Sequence, residues 1–106
     1  SARDVVGYYV VARDGDVGQV VDLLVDDRSW TIRNLVVDTG NWLPGKKVLV
    51  SPQWIFLIDW AQGKVHVNLS REGVKQSPVY DSSKPISREY EARLYQYYRQ
   101  PGYWAE

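Results

Sequence analysis

The chain has 106 residues, 44% of them hydrophobic and 25% charged, and thirteen basic side chains balance thirteen acidic ones. That size and composition fit one folded domain and exclude a disordered chain, while net neutrality removes the field that draws in nucleic acid or an anionic membrane surface. The lack of cysteine excludes disulfides, thiolate nucleophiles and zinc–thiolate sites, and fits a reducing, cytoplasmic setting.

From Gly7 to Leu69, β-branched and aromatic runs alternate with turn residues at short intervals, the pattern of a meandering β domain. Gly7 to Ala12 is predicted as the first strand and Val17 to Asp26 as the second. Arg13-Asp14-Gly15-Asp16 joins them as a hairpin turn, because Asp and Gly tolerate the positive φ that tight turns need. The hydrophobic phase slips between Val17 and Val20, around Gly18, which predicts a bulge that lets the strand curl. A third strand from Trp30 to Asp38 carries Trp30 and Ile32 on one face and Leu35 and Val37 on the other, so burial on both faces is expected. Thr39 to Gly45 reads as a loop with an apolar Trp42-Leu43 pair ahead of a Pro44-Gly45 turn. Lys46 to Val50 is a short strand. After Ser51-Pro52, Gln53 to Trp60 is expected to bring Trp54, Phe56, Ile58 and Trp60 together in the core. A hairpin at Ala61-Gln62-Gly63 leads to Val65, Val67 and Leu69, which alternate with Lys64, His66 and Asn68.

Beyond Ser70 the pattern changes. Ser70-Arg71-Glu72 can open a turn of helix, and a polar, proline-punctuated connector follows from Gln76 to Pro85. Ser87 is a candidate N-cap for a helix from Arg88 to about Arg99, in which Tyr90, Leu94, Tyr97 and Tyr98 form one apolar stripe. Pro101-Gly102 ends this helix and leaves Tyr103-Trp104 as an aromatic terminus. The expected fold is mainly β: a small antiparallel β-barrel with a short C-terminal α-helix. Residues 1–86 form the barrel with its connector and residues 87–106 the helix and tail packed on it, one domain in all.

Reactive chemistry is sparse. Asp14 and Asp16, with Asp22, Asp26 and Asp27 further on, are a candidate weak ion site, but the spacing fails the EF-hand pattern and turn formation accounts for these residues better. His66 stands alone on a solvated strand face, with no nucleophile motif around it. Lys46-Lys47 beside Trp42 is too short a basic run to mark a nucleic-acid groove, and Gly15 and Gly18 lack the spacing and lysine of a phosphate loop. No run approaches the roughly 20 apolar residues of a membrane helix. Neither catalysis, a cofactor, a resident metal, a nucleic-acid partner nor membrane insertion is therefore expected. The surplus is aromatic, with five Trp and eight Tyr. Trp42, Leu43, Tyr103 and Trp104, placed in a loop and at a terminus, form the candidate interaction surface, since Trp and Tyr dominate interface energetics.

Several segments together resemble the PRC-barrel domain: Gly7-Tyr8 with Asp14-Gly15-Asp16-Val17-Gly18, Val20-Val21-Asp22, Trp30 through Thr39, Trp42 through Pro52, and Val65 through Arg71. The closing Ser87-Arg88-Glu89-Tyr90-Glu91 with Tyr97-Tyr98 and Tyr103-Trp104 is similar to the tail of a bacterial branch, many of whose members carry two such barrels in tandem. The family is named for the cytoplasmic domain of the photosynthetic reaction-centre H subunit. The resemblance implies a small, partly open antiparallel β-barrel that acts as an assembly or docking module without catalysis, and the aromatic surplus leads to the expectation that it pairs with itself or with a second tandem barrel. A small-ligand or ion-binding sensor is the alternative.

Overall fold

The computed structural model describes residues 2–26, 28–40, 46–81 and 88–99. Six strands, β1 (Tyr9–Ala12), β2 (Gly15–Val25), β3 (Ile32–Asp38), β4 (Lys47–Val50), β5 (Ile55–Asp59) and β6 (Lys64–Val67), are followed by two helices, α1 (Arg71–Gln76) and α2 (Arg88–Arg99). They form one sheet in the order β4-β3-β2-β1-β6-β5. No pairing joins β4 to β5 among the described residues, so the barrel is partly open along that seam.

The strand pairings are antiparallel except for β1 with β6, which is parallel. The cause lies between β4 and β5. Pro52 opens a 3₁₀ turn over Pro52–Trp54, capped by the Ser51 hydroxyl, which accepts from the Gln53 N–H at 3.2 Å. The turn shifts the chain sideways without reversing it, so β5 continues in the direction of β4 and β6 returns alongside β1.

Curvature comes from bulges. In the β1–β2 ladder the register slips between Val10 and Val11, leaving Val17 as the extra residue, and β2 slips again against β3 between Val20 and Asp22. The predicted irregularity around Gly18 is therefore present. It also explains why position 18 is glycine: φ is +151°, and a Cβ there would lie 2.2 Å from the Asp38 carbonyl oxygen, closer than two non-bonded atoms can approach.

The core fills the concave side. Val10, Val17, Val20, Leu35, Val37, Val48, Val50, Val65 and Val67 are fully buried there, joined by Leu69 and by Val74 of α1. Burying each such side chain contributes about 1.5–3 kcal/mol. The predicted alternation of Val65, Val67 and Leu69 with more exposed neighbours holds, and β3 is buried on both faces from Asn34 to Val37. The second face of β3 and β4 presents Val36 and Leu49, which Leu94 of α2 covers. Trp54 packs against both clusters, with its ring 4.4 Å from that of Tyr98. The Tyr97 hydroxyl donates to the Gly73 carbonyl at 2.7 Å and so ties α2 to α1. The helix stripe predicted from Leu94, Tyr97 and Tyr98 is thus the docking face, while the Tyr90 side chain lies outside what the structure describes.

Two expectations are corrected. Trp30 does not share a strand face with Ile32; it ends the turn before β3 in the left-handed region (φ 56°) and is 82% exposed. Nor do Trp54, Phe56, Ile58 and Trp60 form a single core face. The turn at Pro52 takes Trp54 out of the strand, and a register slip between Ile55 and Leu57 breaks the alternation at Phe56.

Candidate functional site

The carboxylate-rich hairpin has a partner far along the sequence. The Arg71 N–H, at the first turn of α1, donates to Asp14 Oδ1 at 2.8 Å, and Arg71 Nε donates to the Asp16 carbonyl oxygen at 3.0 Å. Ser70 caps the same helix, its hydroxyl accepting from the Gly73 N–H at 3.0 Å. Asp14 therefore serves the orphan donors of a helix terminus, while Asp16 contributes through its backbone. No group of three or more His, Asp or Glu side chains converges to hold a metal among the described residues. His66 sits on the outer side of β6, its ring 6.1 Å from that of Phe56. Lys46 donates from Nζ to the Lys75 carbonyl, and burial lowers its pKa from the usual 10.5. Of the candidate interaction surface, Trp42, Leu43, Tyr103 and Trp104 all lie outside the described residues.

Among the described residues the exposed aromatics are Tyr9, Trp30, Phe56 and Trp60, and the last two lie on and directly after β5. This strand pairs with β6 on one edge and with no described strand on the other. Phe56 is 66%, Leu57 51% and Trp60 55% exposed. Opposite Leu57 stands His66, and opposite Asp59 stands Lys64, so these four point outward, whereas Ile55 and Ile58 face Val67 and Val65 on the inner side. Tyr8 braces Trp60 edge-on at 5.9 Å. Natural edge strands are usually blunted by lysine, proline or a bulge; β5 has only the irregularity at Phe56.

The sequence signal for this strand was ambiguous by construction. Ile55-Phe56-Leu57-Ile58 is a continuous apolar run with no polar residue to mark an outer face, and a proline just upstream can reset the phase. That combination leaves the facing of the strand undetermined, because alternation is the only local mark of an outer side.

Inside the seam lies a cavity of about 490 Å³. Ile32 and Leu35 of β3, Ile55 and Ile58 of β5, Val65 of β6 and the ring of Trp60 line it. It exists because β4 is short: it pairs with Leu35 to Asp38 and leaves the first half of β3 uncovered.

Fold and surface together define a class: a small, incompletely closed β-barrel, sealed on one side by a helix, with an apolar strand edge left open. The sequence profile of the PRC-barrel domain matches residues 1–73, and the chain belongs to that family. The match spans the barrel and the start of α1; the later helix α2 lies beyond it. No curated protein matches the chain closely enough to count as a relative. No described helix is long and apolar enough to cross a membrane.

Proposed function

We propose that this chain is a non-catalytic interaction module that docks, through the free edge and outer side of β5, onto a second copy of the same barrel. One observation carries the reading: an edge strand exposes Phe56 and Leu57 on its outer side and Trp60 at its end. An unpaired strand edge offers a row of backbone donors and acceptors, and adding a strand to it satisfies them while neighbouring side chains set specificity. A second copy supplies an identical edge, so two β5 strands related by a two-fold axis pair antiparallel and bring their Leu57 and Phe56 side chains onto one continuous surface.

Leu57→Lys tests this. The side chain is half-exposed, so folding stability should change by no more than about 0.5 kcal/mol, whereas an edge lysine opposes pairing. Self-association of the parent chain that Leu57→Lys abolishes supports the proposal. Association that survives the substitution places the interface elsewhere.

A further inference from the structure

We propose that two adjoining cavities under the open seam form one binding site for a small amphipathic monoanion, an apolar body carrying a carboxylate. The larger cavity, about 490 Å³, is lined entirely by apolar side chains and falls within the roughly 300–1,000 Å³ of sites that hold small molecules. A smaller one of about 220 Å³ lies beside it and is lined by Arg33, Ser51, Gln53 and Tyr95 together with Ile32 and Pro52. Ile32 and Pro52 line both, so a single ligand passing them occupies an apolar end and a polar end.

The polar end is built for negative charge. Arg33 is the only charged side chain lining either cavity among the described residues, and no carboxylate does. Ser51 is buried, and its hydroxyl accepts the Gln53 N–H, which leaves its own hydrogen to be donated. The Tyr95 phenol and the Gln53 amide add further donors. Asp26 is one group already facing Arg33, with Oδ2 3.7 Å from Nη1. An incoming carboxylate therefore competes with it, and on release Asp26 keeps the hydrogen bond that its Oδ1 accepts from the Arg28 N–H at 2.8 Å. This exchange limits the gain from the charge. A hydrogen bond to a charged group is worth about ten- to a hundredfold in affinity, and the lower end of that range applies. The apolar end excludes a ligand charged at both ends, because burying an unpaired charge is prohibitively costly.

The site uses the inner side of β5 and shares Trp60 and the seam beside the strand's free edge with the surface proposed for docking, whereas Leu57 belongs to the docking surface alone. The full chain is titrated with decanoate, decanol and decyltrimethylammonium below their micellar concentrations, by calorimetry and by tryptophan emission, alongside Arg33→Gln, Ile58→Trp and Leu57→Lys. Saturable decanoate binding is expected, about tenfold tighter than decanol, with the cation weakest. Arg33→Gln should bring decanoate down to the affinity of decanol and leave decanol unchanged. Ile58→Trp fills the cavity and should abolish both; should it fail to fold, the Arg33→Gln comparison decides alone. Leu57→Lys should leave decanoate binding intact, so that failure here and failure of the docking proposal are told apart. The inference is overturned by absence of saturable decanoate binding, by equal affinity for decanoate and decanol, by an Arg33→Gln variant that binds as the parent does, or by displacement of decanoate as the chain self-associates, which would assign the seam to a second copy.

Discussion

Replacing Gly18 by alanine probes the tightest point of the barrel. The new Cβ would sit 2.2 Å from the Asp38 carbonyl oxygen, 2.9 Å from its carbonyl carbon and 3.0 Å from Val37 Cγ1. The backbone of Asp38 has little room to yield, since it pairs with Gln19 on one side and with Lys47 on the other. Holding a non-glycine residue at a φ of +151° costs about 1–3 kcal/mol, and forcing an extra methyl into a packed contact costs about 1–3 kcal/mol more. The expected destabilisation is about 3 kcal/mol or greater, which lowers Tm by about 12 °C or more in a domain of this size. Thermal melts followed by circular dichroism measure it, with Gly40→Ala as the control. Gly40 also has a positive φ, +60°, but open space around it, so its substitution should cost only about 0–1 kcal/mol after the lost freedom of the unfolded chain is counted. If Gly18→Ala fell within about 1 kcal/mol of Gly40→Ala, the close approach of β2 to the end of β3 would not exist as described.

Other consequences concern how the helices are held. Leu94 is fully buried against Val36 and Leu49, so Leu94→Ala should destabilise the chain by about 2–5 kcal/mol in urea unfolding, with α2 losing amide protection before the barrel does. Asp14→Ala removes the acceptor for the Arg71 N–H and should cost about 1 kcal/mol. Asp16→Ala should be near neutral, because Asp16 contributes its carbonyl oxygen rather than its carboxylate. Equal losses in the two variants, or a calcium-dependent rise in Tm that both abolish, would instead favour the ion-site reading of this turn.

What the sequence revealed of this molecule depends on how local the responsible physics is. Val65, Val67 and Leu69 alternate with polar neighbours, so one pattern specifies both strand and buried face, and the glycine at position 18 marks a bulge through its own conformational demand. The helix over Arg88–Arg99 carries its docking stripe in its spacing. Trp30 was misplaced because a single residue in the left-handed region decides whether it begins the strand or ends the turn. The β5 strand was misread because four successive apolar residues leave its facing undetermined, and the 3₁₀ turn at Pro52 shifts the phase. The parallel pairing of β1 with β6 follows from that same non-reversing turn, which no alternation records. Asp14 and Arg71 stand 57 positions apart, so their contact exists only once the barrel has brought the first hairpin to the start of α1. Of the candidate site the sequence carries only the aromatic surplus, because packing rather than local pattern decides which rings stay exposed. The exposed side of β5 emerges only from the fold, and Trp42, Leu43, Tyr103 and Trp104 lie outside the described residues.

Light scattering on the purified chain over a wide concentration range, repeated with Leu57→Lys, tests the docking role most directly. The parent chain's mass should rise from that of one chain towards that of two, while Leu57→Lys remains a folded monomer throughout. A parent chain that stays monomeric at the highest concentration, or a Leu57→Lys variant that associates as the parent does, would contradict it.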